Sequence, residues 1–132
     1  MDRSDVAPWP KRIGAITLVV DDLDATKRFY GEVFQVRLVF EDADSAVFDF
    51  GNTIVNLLRV AAAHELIEPA EVGSADAAPR FQLTIDVDDV DATCADLVAR
   101  GVELLNGPID RPWGVRTASF RDPAGHVWEI AK

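Results

Sequence analysis

Among 132 residues the chain carries one cysteine, one tyrosine and two histidines. The lone Cys94 cannot close an internal disulfide, so no cystine framework holds the fold, and a reducing compartment suits it. No apolar run approaches the roughly 18–20 residues that cross a bilayer, and no membrane partner is expected. The opening MDRSDVAPWPKR lacks the apolar core of a secretory leader, so a cytoplasmic location is expected. Basic side chains are also scarce: 13 Lys and Arg stand against 23 Asp and Glu, a net charge of −10. No Lys/Arg cluster interrupts that field, which would repel a phosphate backbone, and nucleic acid is not expected as a partner. The acidity serves solubility or, in a sharper reading, attracts a cationic small molecule.

What the chain does have is apolar residues, 48% of the total, enough for a core in one ordinary domain or two very small ones. It also says one thing twice. VDDLDAT runs from Val20 to Thr26 and VDDVDAT from Val87 to Thr93, differing only at Leu23 and Val90. The copies stand about half a chain apart, which is the mark of an internal repeat. RIGAITLVV precedes the first and RFQLTIDV the second, both rich in Thr and branched residues, and both read as strands. Alternation puts Ile16, Leu18 and Val20 on one face, opposite Ala15, Thr17 and Val19. In the second copy Leu83, Ile85 and Val87 share a face, opposite Gln82, Thr84 and Asp86. After each phrase comes three-and-four spacing: Leu23, Thr26, Phe29, Tyr30, Val33 and Phe34, then Val90, Thr93, Cys94, Leu97 and Val98. Asp21, Asp22, Asp88 and Asp89 therefore read as acids at strand-to-helix joints, where a carboxylate caps orphan N–H groups. Gly101 reads as the stop of the second helix.

Three more strand-like segments follow each helix. They are VRLVFED, SAVFDF and TIVNLLRV in the first half, and VELLNGP, VRTASFRD and HVWEIAK in the second, with a DPAG turn from Asp122 to Gly125. The expected plan is an N-terminal arm at 1–11, a βαβββ module at 12–60, a connector at 61–78 with one helical turn near His64 to Ile67, and a second βαβββ module at 79–132.

DLDATKRFYGEVF in the first half, with DVDATCADLVARGVEL and PWGVRTASFRDPAGHVWEI in the second, is similar to the vicinal oxygen chelate superfamily of glyoxalases, extradiol dioxygenases and bleomycin-resistance proteins. The resemblance runs from about Arg12 to Ile130. It implies an α+β fold in which tandem modules build a curved mixed sheet, a cup with helices on the convex side. It implies metal or substrate on the concave faces and a homodimer, since small members build cavities between chains. Metal-using members place a His, Gln or Glu on the first strand of each module and a Glu or His on the last.

Carried onto this chain by counting seven residues back from Asp22 and Asp89, the first-strand positions are Ala15 and Gln82, and the last-strand positions are Asn56 and Glu129. Ala15 has no donor atom, Asn56 and Gln82 are neutral, and only Glu129 carries charge. A stable site uses three or four His, Cys or carboxylate donors. Swapping modules between chains would not restore the missing ones. No metal cofactor is expected; the competing expectation is a divalent Zn, Ni, Mn or Fe. His64 falls in the connector and His126 beside a turn, so neither completes the set.

The remaining polar groups on the inner face, Thr17, Asn56, Gln82, Thr84, Asp86 and Glu129, need a ligand or water as partner. Glu129 is a candidate general base, unless it pairs with Arg116 on the adjoining strand. Trp113 in the Pro-Trp-Gly loop stacks on a planar or cationic ligand or simply anchors its loop. Trp128 is expected in the core with Phe29 and Tyr30, and Trp9 against its own domain or a partner chain. Three functions compete: a metal-free, dimeric binder of a small organic molecule, a metal-dependent lyase, isomerase or dioxygenase-like enzyme, and a metal-free proton-transfer enzyme using Glu129.

Overall fold

The structure is a computed structural model and describes residues 8–132, so the first seven residues of the expected arm lie outside the described residues. The order is β1 (Ala15–Val20), α1 (Leu23–Phe29), β2 (Arg37–Glu41), β3 (Ser45–Asp49), β4 (Ile54–Arg59), α2 (Val60–Ile67), β5 (Gln82–Asp86), α3 (Val90–Ala99), β6 (Leu104–Asp110), β7 (Arg116–Arg121) and β8 (Val127–Ala131). The strands form two four-stranded sheets, β1-β4-β3-β2 and β5-β8-β7-β6. In each, the first strand runs parallel to the last and the other pairs are antiparallel. The two halves thus share one topology, α+β and mixed, as the repeat predicts.

The doubled phrase makes the same joint in both. Asp22 Oδ1 accepts from the Ala25 amide at 3.0 Å, and Asp89 Oδ1 from the Ala92 amide at 3.0 Å. Thr26 and Thr93 each donate a hydroxyl to the carbonyl of that same aspartate, both at 2.8 Å. Each capping carboxylate contributes about 1 kcal/mol by satisfying an orphan amide at the positive helix end.

Three local features depart from the sequence pattern. The first helix does not run evenly to Phe34: its last turn, Tyr30–Phe34, widens into a π-helical turn that Gln35 closes in the left-handed region at φ 56. A ring pair sits across that turn, Tyr30 on Phe34, edge to face at 5.1 Å. The connector helix begins at Val60, directly off β4, and spans eight residues rather than one turn. Strand β6 continues past Pro108 to Asp110, because register irregularities between Leu104 and Ile109 absorb the proline.

The modules share one core. Leu18, Val20, Tyr30, Phe48 and Leu57 of the first join Cys94, Leu97, Phe120, Trp128 and Ile130 of the second. An aromatic cluster forms the seam. Phe50 stacks on Trp128 at 5.4 Å, and Phe34 meets both Trp128 and Phe120 within 6 Å. The face of each sheet that carries the helix is therefore buried at the seam. Thr17, Gln82, Thr84 and Asp86 stand on the opposite faces and are exposed. Val98, counted on the apolar face of α3, is exposed as well.

Candidate functional site

Strand register decides which polar side chains meet. In the first module Thr17 pairs with Asn56, and Asn56 with Val47. In the second, Thr84 pairs with Glu129, Glu129 with Ser119, and Ser119 with Asn106. Alternation puts each row on one sheet face, away from the shared core. These are equivalent rows of the two modules, centred on Asn56 in one and Glu129 in the other.

The rows differ chemically. In the second, Thr84 Oγ1 donates to Glu129 Oε1 at 2.9 Å. Arg111 covers the far end of that face: its Nε donates to Thr117 Oγ1 at 2.9 Å and an Nη approaches Asn106 Oδ1 at 3.4 Å. The face thus carries a carboxylate and a guanidinium on either side of the buried Ser119. In the first row, Asn56 Oδ1 is buried and without a hydrogen-bond partner among the described residues. A buried carbonyl left so costs about 1–3 kcal/mol, a cost that a donor from outside the chain removes.

Arg116 is not at this face. Glu129 opposes Ser119, so Arg116 lies three residues along β7 and on the other side of the sheet. There it bridges Asp91 of α3 and Asp110 of β6, both at 2.9 Å. Hydrogen bonds to Asp91 and then Asp110 raise its already high pKa, while Arg116 pulls Asp91 below the usual carboxylate range. Among the described residues Glu129's side-chain partner is Thr84, which replaces the Arg116 pairing the sequence left open. Gln82 and Asp86 flank Thr84 on the same face, next to Val127 and Ala131 rather than Glu129. Trp113 is 71% exposed, in the turn closed by the Gly114 amide donating to the Arg111 carbonyl.

The family's metal positions can be tested on this donor set. Ala15 contributes a methyl group, Asn56 and Gln82 neutral amides, and Glu129 one carboxylate already bonded by a hydroxyl. Among the described residues no group of three or more His, Cys, Asp and Glu side chains is placed to hold a metal ion. These residues do not fit a divalent transition metal.

Sequence reasoning missed Arg111, Ser119 and Asn106, and it placed His126 at the turn without its partner. The ring is held inside that turn. Its Nδ1 lies 3.0 Å from Asp122 Oδ2, and the Asp122 side chain is fully buried. Asp122 also accepts from Tyr30 Oη at 2.8 Å and from the amides of Ala124 and His126. Trp128 Nε1 in turn donates to Tyr30 Oη at 3.1 Å. Burial first, and then the Asp122 charge, push the Tyr30 phenol far above its ordinary pKa, so it stays a neutral donor. The DPAG turn was visible in the sequence, but its partner Tyr30 lies in the other module.

A family model described as Glyoxalase/Bleomycin resistance protein/Dioxygenase superfamily matches residues 12–130. The chain is 34% identical over 121 residues to a Bacillus subtilis (strain 168) protein called "Uncharacterized protein YraH", covering 89% of this chain and 94% of that one. A glyoxalase/bleomycin resistance protein/dioxygenase from Nocardioides has the same fold, with a TM-score of 0.87 at 24% identity over 98% of this chain and 87% of that one. A glyoxalase-related enzyme from Fulvimarina pelagi gives 0.79 at 28% identity over 92% of this chain and 88% of that one. Among the described residues no helix is long and apolar enough to cross a membrane. With a doubled βαβββ plan matched by the family model over residues 12–130, the chain belongs to the glyoxalase/bleomycin resistance protein/dioxygenase superfamily.

Proposed function

We propose that the chain binds a planar small organic molecule against its two polar rows, without a metal. The observation that carries this reading is the orphaned Asn56 Oδ1, a buried acceptor at the position where a metal-using relative would put a charged ligand. A neutral carbonyl suits a donor N–H or O–H of an organic ligand better than a cation stripped of water. Glu129 anchors a basic group, Arg111 limits the other end, and Trp113 offers its ring at the rim.

A second copy of the chain completes the site in this reading. Trp9 is 84% exposed and so does not pack on its own domain. Edge strand β2 leaves Leu38, Val39 and Phe40 open to solvent, an apolar edge that invites pairing. The protein should therefore sediment as a dimer. Titration with acriflavine, a planar cationic dye, should quench tryptophan fluorescence saturably. Affinity should drop about tenfold in Trp113→Ala, the effect of losing one stacked cation contact. A monomer with no quenching across a panel of planar dyes would sink this reading.

A further inference from the structure

A cleft of about 290 Å³ lies where β1, the end of α2, the connector and the β7–β8 turn converge. It touches the first row only at Thr17 and is otherwise built from residues that neither row uses. Its charged walls are Asp21 and Glu71, with no Lys or Arg among the lining side chains. Val60, Ile67 and Phe81 supply an apolar floor. His126 closes one side, and its ring is oriented by the buried Asp122. An ionised carboxylate only accepts hydrogen bonds, so the Nδ1 that meets it carries the proton. In the neutral ring this leaves Nε2 as an acceptor, and the ring cannot turn without breaking the Asp122 contact. Phe81 lies beside the imidazole, with ring centroids 6.3 Å apart.

Two carboxylates, an oriented imidazole acceptor and the Thr17 and Ser74 hydroxyls around an apolar floor complement a group that only donates and carries positive charge. We propose that this cleft binds a primary ammonium group borne on a compact apolar body, with Asp21 and Glu71 as counter-charges and His126 as a hydrogen-bond acceptor. The net charge of −10 adds a long-range attraction of the same sign. The site stands apart from the ligand proposed for the rows.

The test uses the full chain labelled with ¹⁵N, phenethylamine as the probe and 2-phenylethanol as its uncharged counterpart. Phenethylamine should shift the amides of Gly73, Ser74, Ala75 and His126 saturably. The alcohol should bind at least about fivefold more weakly, because it lacks the charge. Asp21 and Glu71 are exposed and cap no helix, so the Asp21→Asn, Glu71→Gln double variant keeps the fold. It should lose about the same factor, whereas Asn56→Leu should leave phenethylamine binding unchanged while altering dye binding to the rows. Shifts confined to other surfaces, equal binding of amine and alcohol, or undiminished affinity in the double variant would each overturn the proposal.

Discussion

Asp122→Ala is expected to destabilise the chain by about 3–5 kcal/mol, the range for stripping one partner from a buried, hydrogen-bonded charge network. The side chain is fully buried and accepts from Tyr30 Oη, two backbone amides and His126 Nδ1. Alanine removes the acceptor for all of those groups at once. It leaves the buried Tyr30 phenol without its acceptor at the seam between modules and frees two amides in the half-buried turn. Tyr30→Phe is the milder companion. It removes one donor to Asp122 and the acceptor for Trp128 Nε1 but keeps the ring in its cluster, so about 1–2 kcal/mol is expected. Urea denaturation followed by tryptophan fluorescence measures both. An Asp122→Ala loss below that of Tyr30→Phe would show that the network does not hold the modules together.

Gly107→Ala is the second large effect, through a different cause. Gly107 sits at φ +94 inside β6, where its backbone lies directly over β7. A Cβ there would fall 2.5 Å from the Thr117 carbonyl oxygen and 2.6 Å from Ala118 Cα. Both obstacles are backbone of a central strand, so neither can swing aside. The left-handed conformation adds its own penalty for any residue with a Cβ. The expected loss exceeds about 3 kcal/mol, or folding fails outright. Gly101→Ala is the control: it has φ +86 but nothing within 4 Å of the added Cβ, so it feels the conformational penalty alone, about 1 kcal/mol. Equal melting temperatures for the two variants would contradict this account.

How far each feature can be read in the sequence follows the range of the forces that form it. Strands β1 and β5, both capping aspartates and the repeat itself are written locally, in period-two alternation and in a side chain three residues from the amide it bonds. They were legible. The π-helical turn was not, because it accompanies packing of Tyr30 and Phe34 on residues as distant as Phe50 and Trp128. Strand β6 looked finished at Pro108, because a proline ends most strands; the irregular register that tolerates it depends on the partner strand. Adjacency of strands leaves Arg116 open as a partner for Glu129, and only the register with Ser119 shows that the two occupy opposite faces. His126 read as a turn residue because Asp122 sits in the same turn, while the Tyr30 that helps bury that carboxylate comes from the other half of the chain.

The candidate site divides the same way. Counting back from the repeated aspartates reaches equivalent positions of the two first strands, Ala15 and Gln82, but the register sets Thr17 and Thr84, two residues on, opposite Asn56 and Glu129. The partners of these residues were not legible. Thr84 meets Glu129 through a parallel ladder, and Arg111 reaches the same face from a loop. Neither contact leaves a periodic trace.

The central claim is that this member of the superfamily holds an organic ligand on a neutral amide acceptor and one carboxylate, with no metal between protein and ligand. Calorimetric titration of acriflavine into the protein, before and after exhaustive dialysis against EDTA, tests it most directly. The account predicts the same saturable binding in both samples. Binding that disappears on chelation and returns with stoichiometric Zn, Ni, Mn or Fe would contradict it.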